Sequence, residues 1–488
     1  MRFKTGLLGA VVPALMAILV TLLLAPTPAP VGYRSAGDAV LVDRVRALVA
    51  GPEARASGSD QGFRSLAVGV VDGATSSYAF IGDRGDGSPP DASSTFELAS
   101  VTKTFTALML ADSVTRGEVR LSDRVGRYLP ELQGTRAGSV TLEELATHRS
   151  GLPAYSDLVA GATYEGFGSA DLQSEDEAVI LQQTRGLRLS GRGQWQYSHL
   201  GVSLLGFALA RATGEPSWES LVRHRVLEPY GMTSTTFART DAQIPASAAQ
   251  GHHINGSPVE PVTGGGYLPA GTTTFTTVTD MTRYASALLS GRAIGLWSLT
   301  PRYEINEDES IGLVWMTRTV AGHDVHFHPG GVPGYSSFFV VDPTAGRAVV
   351  VLGGSEESVE AIGFHLLDAS STVPWFVRPS TQSALGVTGL VLVAGAMLAG
   401  LRGRQPVVLA AAGALAQTGL ILLLRDGPWH RIPGWTWGLA AFAVFWITVD
   451  VGRSWGAPTR RPHSRRLAWV GLGLAVAAYA AVIVTTPR

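Results

Sequence analysis

The sequence predicts an α+β fold, one antiparallel sheet flanked by helices with an all-helical insert, followed by a four-helix transmembrane bundle. Three observations carry this expectation. Strand-like segments cluster near residues 65–82 and again near 323–352, so both ends of one domain feed one sheet. The region between, roughly Leu121–Ser290, is rich in helical signals and loops. Beyond residue 382 the chain becomes apolar in four stretches, each long enough to span a bilayer.

Taken in order, Met1-Arg2-Phe3-Lys4 precedes a mostly apolar run from Gly6 to Ala25, which reads as an export signal over residues 1–30. Each small-residue cleavage candidate is followed by proline, which favours retention as a signal anchor over cleavage as a signal peptide. Asp38–Val49 has helical periodicity. Ser65–Asp72 alternates as a strand through Leu66, Val68 and Val70, and Tyr78–Gly82 pairs with it across the Asp72-Gly73 turn. Ser100–Arg116 is an apolar helix closed by Gly117. Strands return at His323–His328, Tyr335–Val341 and Ala348–Leu352, and Ser358–Ala369 reads as the closing helix. A domain over residues 31–371 is thereby expected, with 372–382 as linker.

The membrane expectation rests on stretches 383–401, 406–424, 436–452 and 467–486. Arg402 and Arg404 lie in the first loop; Arg453, Arg460, Arg461, Arg465 and Arg466 lie in the third. By the positive-inside rule both loops are cytoplasmic, which leaves residues 31–382 outside, in agreement with the export signal. The expected location is therefore the plasma membrane, multi-pass, with the large domain extracytoplasmic and the lipid bilayer as partner. Gln417 and Asp450 are the polar intruders; a helix–helix bond and a local pair with Arg453 account for them.

Composition excludes several chemistries. The 488-residue chain has a net charge of −1 and no long basic run outside the membrane flanks, so nothing points to nucleic acid. It contains no cysteine, which removes disulfides and thiolate nucleophiles. Of its 38 Lys and Arg residues only Lys4 and Lys103 are lysine. Lys103 closes Ser100-Val101-Thr102-Lys103, where hydroxyl and amine share one helix face. Arginine stays charged, whereas a desolvated lysine can lose its proton and act as a base, so a serine can be activated here without a histidine. His326 and His328 alternate on one strand, with His323 nearby, but a third ligand of suitable spacing is not evident, and neither a metal nor a cofactor is expected.

Four segments then read together: Phe96-Glu97-Leu98-Ala99-Ser100-Val101-Thr102-Lys103, Leu145-Ala146-Thr147-His148-Arg149-Ser150-Gly151-Leu152-Pro153, Tyr197-Ser198-His199-Leu200-Gly201, and His328-Pro329-Gly330-Gly331-Val332-Pro333-Gly334-Tyr335-Ser336. In this order they resemble the serine β-lactamase and penicillin-binding-protein superfamily, in the branch of class C β-lactamases, D-amino-acid peptidases and related esterases. The resemblance covers about residues 40–370. It implies Ser100 as nucleophile, Lys103 as its proton partner, Tyr197 as general base, and the N–H groups of Ser100 and Gly331 as oxyanion hole. His199, His328 and Gly330 would line the substrate, the glycines at 330 and 331 letting it lie against the strand. His148 would support the site from a turn, Asp123 would be structural, and His252-His253 reads as loop.

Two positions depart from the family pattern. His199 stands where asparagine is usual, and Pro329 stands where a hydroxyl residue helps grip a substrate carboxylate. Both favour an ester or peptide substrate without that grip over an efficient β-lactamase. The expected function is a membrane-tethered serine hydrolase acting through an acyl-enzyme on a small-molecule or peptide ester or amide. The alternative is a sensor for β-lactams or cell-wall peptides that acylates once and stalls.

Overall fold

Asp38 accepts a hydrogen bond from the Leu41 amide at 2.9 Å and so starts α1, Ala39–Val49. The Asp72-Gly73 turn closes a hairpin of β2, Ser65–Asp72, and β3, Thr75–Gly82, in which Asp72 faces Thr75. These elements belong to a computed structural model that describes residues 34–371 apart from 53, 55–61, 157–175, 254, 255 and 257. The export segment, the linker and the four apolar stretches lie outside the described residues. Among those described, no helix is long and apolar enough to cross a membrane.

The remaining strands follow in chain order as β1 (Ser35–Gly37), β4 (Phe96–Glu97), β5 (Thr236–Phe237), β6 (Gly251–His252), β7 (Pro258–Val259), β8 (Thr274–Thr276), β9 (Tyr303–Glu304), β10 (Ser310–Ile311), β11 (Met316–Val320), β12 (His323–Val332), β13 (Tyr335–Asp342) and β14 (Arg347–Gly353). Nine of them form one sheet in the order β1-β3-β2-β14-β13-β12-β11-β10-β9, every pair antiparallel. The two ends of the domain meet at the β2–β14 pair, Asp72 opposite Arg347. This is the sheet expected from the sequence, wider by β1 at one edge and β9–β11 at the other.

Period-two burial explains how the sheet is covered on both faces. Leu66, Val68, Phe338, Val340, Val349 and Val351 enter a core with Leu41, Val42 and Val45 of α1 and Ile362 and Phe364 of the closing helix, Glu360–Leu367. Ala67, Phe339, Val341, Ala348 and Val350 face the opposite core. That core is filled by α2 (Lys103–Thr115) and by the helices His199–Thr213 and Val278–Leu289. The first eleven residues of α2 are all buried, as an all-round apolar helix requires.

Two sequence expectations are corrected. The middle region is not all-helical: β5 and β8 join β4 in a three-stranded sheet, and β6 pairs with β7. β12 does not stop at His328 but runs through Pro329-Gly330-Gly331 to Val332, because Pro329 and Gly330 keep extended pairing with Phe338 and Ser337.

Candidate active site

The serine turn is clamped from two sides. Ala99 lies in the left-handed region at φ 52°, a conformation that costs a residue bearing a Cβ and persists only where the surroundings hold it. On one side is Gly271, at φ 106°, whose absent Cβ would overlap the Ala99 carbonyl oxygen. On the other, Ser337 Oγ donates to the Leu98 carbonyl at 2.6 Å. Gly330 faces the same turn: a Cβ there would lie 3.1 Å from the Ser100 nitrogen and would overlap Ser337 Oγ. Gly330 therefore lets β12 approach the serine turn. Gly331, next along the strand, pairs with Ser336.

Ser100 sits in a 3-10 turn, Ala99–Thr102, that runs directly into α2. Lys103 Nζ is hydrogen-bonded to Ser100 Oγ at 2.7 Å and lies 3.3 Å from His199 Nδ1. It also donates to the Ala270 carbonyl. Lys103 is wholly buried, and burial pushes its pKa well below the ordinary 10.5. Burial thus favours the neutral amine, the form that can present a lone pair to the hydroxyl it touches.

Tyr197 and His199 come from the start of the His199–Thr213 helix, whose N-cap is Ser198. Its Oγ accepts from the Gly201 amide at 2.9 Å and donates to the Pro153 carbonyl at 2.7 Å. Tyr197 and His199, both partly exposed, face the Ser–Lys pair. Lys103 Nζ lies 5.1 Å from the centre of the Tyr197 ring, and His199 stacks on Tyr155 with centroids 4.8 Å apart. Behind Tyr197 stands His148, with ring centroids 4.4 Å apart. Its Nδ1 accepts from the Ser198 amide at 3.1 Å, so its proton is on Nε2. The supporting place expected for His148 is the one observed. Asp123 accepts from Tyr128 Oη at 2.6 Å and from the Arg120 amide at 2.8 Å, well away from these groups in role.

His328 is brought to the site but not to its surface. It is fully buried, 6.2 Å from the Tyr197 ring centre, and its Nδ1 donates to the Pro329 carbonyl at 2.6 Å. Burial, with Lys103 nearby, lowers its pKa to about 3. A neutral, covered imidazole cannot act as a cationic grip on an anion, which corrects its assignment to substrate contact. The pKa values of His148 and His199 are lowered as well, burial being the first cause. His326 bonds Thr317 Oγ1 at 2.9 Å and His323 pairs with Asp342 at 2.9 Å. Among the described residues no group of three His, Asp or Glu side chains could hold a metal. His252 is not loop but the second residue of β6, buried, with Nδ1 3.2 Å from the Gly354 carbonyl.

One residue beside the site escaped sequence reasoning. Glu97, three positions before Ser100, is buried, and its Oε1 accepts from the Thr273 amide at 2.6 Å. The available signal was a lone acid between Phe96 and Leu98 at the entrance to the serine turn.

A hydroxyl bonded to a neutral lysine at the head of a buried helix, faced by a sheet strand, defines a class of serine hydrolases that need no catalytic histidine. Within that class the chain belongs to the Beta-lactamase family, which it matches over residues 41–362. Relatives include the esterase EstB of Burkholderia gladioli, 37% identical over 173 residues, covering 33% of this chain and 43% of the esterase. The D-alanyl-D-alanine-carboxypeptidase/endopeptidase AmpH of Escherichia coli K12 is 30% identical over 189 residues, covering 37% of this chain and 47% of AmpH. The match thus spans less than half the length of either relative. Among solved structures, D-alanine carboxypeptidase AmpC from Burkholderia cenocepacia has the same fold, with a TM-score of 0.54 at 22% identity over 65% of this chain and 94% of that one.

Proposed function

We propose that this protein is a membrane-anchored, extracytoplasmic serine hydrolase that works through an acyl-enzyme on uncharged esters or amides, D-amino-acid peptides included. The observation that carries the reading is the 2.7 Å bond between Ser100 Oγ and the buried, neutral Nζ of Lys103. Lys103 takes the Oγ proton as Oγ bonds to the substrate carbonyl carbon. The resulting oxyanion is received by the N–H groups of Ser100 and Gly331. The proton passes to the leaving alcohol or amine, with Tyr197, whose ring faces Nζ, as the relay. Water then attacks the acyl-serine, gives a proton back through the same groups, and releases the acid.

The substrate class follows from charge. Burial disfavours the charged forms of Lys103, His148, His199 and His328, and Pro329 offers neither hydroxyl nor N–H. A substrate carboxylate would find no cation among these groups. The esterase relative supports the ester members of the substrate class. The membrane placement is supported by the four apolar stretches and the arginines of their loops.

The test is labelling of the full-length protein in membranes by a fluorophosphonate, with Ser100→Ala as control. Labelling that disappears in the variant, followed by turnover of neutral esters, is the expected outcome. Labelling without turnover would place the protein with acylation sensors, and no labelling of folded protein would remove the hydrolase reading.

A further inference from the structure

We propose that Glu97 is a positioning residue that holds the serine turn in its working geometry only while its carboxyl carries a proton. The inference rests on Ser100 being the nucleophile.

Glu97 stands where the two halves of the clamp meet. Its own strand, β4, pairs with β8, and the next residue, Leu98, donates its amide to the Thr274 carbonyl at 2.7 Å. Its Oε1 takes the Thr273 amide at 2.6 Å, and Thr273 is itself left-handed at φ 60°. The segment it fastens, 270–274, supplies the Ala270 carbonyl that binds Lys103 and the Gly271 backbone that packs on Ala99. One carboxyl oxygen thus ties the lysine's acceptor to the strained turn that presents Ser100. The second oxygen, Oε2, is buried with no hydrogen-bond partner among the described residues.

The surroundings decide the charge state. β8 contributes Thr274, Phe275 and Thr276, none of them titratable near neutrality. β13 contributes Tyr335, whose hydroxyl donates to the Ala249 carbonyl and whose pKa is raised by burial first and then by Glu97 and Glu260. The serine turn contributes Ser100 and the neutral Lys103. No cation acts on the carboxyl, so burial raises its pKa from 4.5 to about 8, opposed only by the Thr273 bond. Oε2 is unpaired in either form, but an unpaired neutral hydroxyl costs far less here than an unpaired buried charge. Ionisation strengthens the acceptor at Oε1 but strands charge on the bare, buried Oε2; that penalty favours withdrawal of the side chain toward water and, with it, loss of the tie that holds both walls of the clamp.

The experiment compares full-length wild type, Glu97→Gln and Glu97→Asp for fluorophosphonate labelling rate from pH 6 to 10, and for unfolding by urea over pH 4 to 10. Glutamine keeps the acceptor and cannot ionise. The ratio of Glu97→Gln to wild-type labelling rates should rise about tenfold per pH unit above 8. Aspartate keeps the acid but shortens its reach, and should lower labelling about tenfold at neutral pH. A glutamate serving only as a structural acceptor would leave the Gln-to-wild-type ratio flat with pH, and that result overturns the proposal. So does wild-type labelling by Glu97→Asp. If wild type labels at no pH, the hydrolase reading fails separately and the unfolding arm decides. A carboxyl whose folded pKa is raised loses its stabilising contribution as pH climbs from 4.5 to about 8. Wild-type stability should therefore fall relative to Glu97→Gln across that window and run parallel above it. Parallel curves throughout would sink the proposal.

Discussion

Replacing Lys103 by arginine keeps the length and sign of the side chain but removes its ability to hold a lone pair 2.7 Å from Ser100 Oγ. A guanidinium does not deprotonate in a protein, so the hydroxyl loses its proton acceptor outright. Loss of a positioned general base costs about 10²–10⁴ in rate, or roughly 3–5 kcal/mol of barrier at 1.36 kcal/mol per tenfold. The replacement also buries a full charge where the wild type buries none, an effective cost of several kcal/mol. Lys103→Met separates the two effects: it removes the base without adding charge and leaves the Ala270 carbonyl unsatisfied, a cost of about 1–3 kcal/mol. The assay is fluorophosphonate labelling rate together with urea unfolding for all three proteins. Both variants should label at least a hundredfold more slowly, with arginine the less stable of the two. The pH dependence carries a sign of its own. Because the folded state holds Lys103 neutral while the unfolded chain titrates near 10.5, wild-type stability should rise relative to Lys103→Met as pH increases toward 10.5. A Lys103→Arg protein that labels within tenfold of wild type would refute the lone-pair argument.

Three further outcomes are expected. His199→Asn should raise amide turnover relative to ester turnover, because an amide side chain offers both a carbonyl to Nζ and an N–H to the substrate; an unchanged ratio from matched substrates would count against it. Gly271→Ala, which forces a Cβ onto the Ala99 carbonyl and strains a φ of 106°, should lower the free energy of urea unfolding by about 1–3 kcal/mol or more and reduce labelling with it. Ser464→Cys places a unique thiol in the third loop of a chain without cysteines, and an impermeant maleimide should fail to label it in intact cells; labelling there would invert the topology.

How much was legible in the sequence depended on whether a residue's partner was local. The β2–β3 hairpin and the Asp38 cap announce themselves within a few residues, and the Ser100–Lys103 pair needs only helical spacing. β12 was cut short because Pro329-Gly330-Gly331 reads as a break, while its pairing comes from Ser336, Ser337 and Phe338 on the next strand. β9 and β10 are two residues each in a charged stretch around Glu307, Asp308 and Glu309, too short to show alternation. His328 was placed on the right strand but not recognised as covered, since which way a strand faces is set by the sheet it joins. Glu97 was missed for the same reason: what makes it informative is Thr273, 176 residues away.

The pairing of β2 with β14 sets a schedule as well as a shape. Arg347 must reach Asp72 across 275 residues before the sheet can close, and the Gly330 and Ser337 side of the serine clamp arrives equally late. Such non-local closure forms late and more slowly than local pairing. The clamped turn cannot be assembled from the first part of the domain alone, so an activated Ser100 exists only once nearly the whole domain has been made.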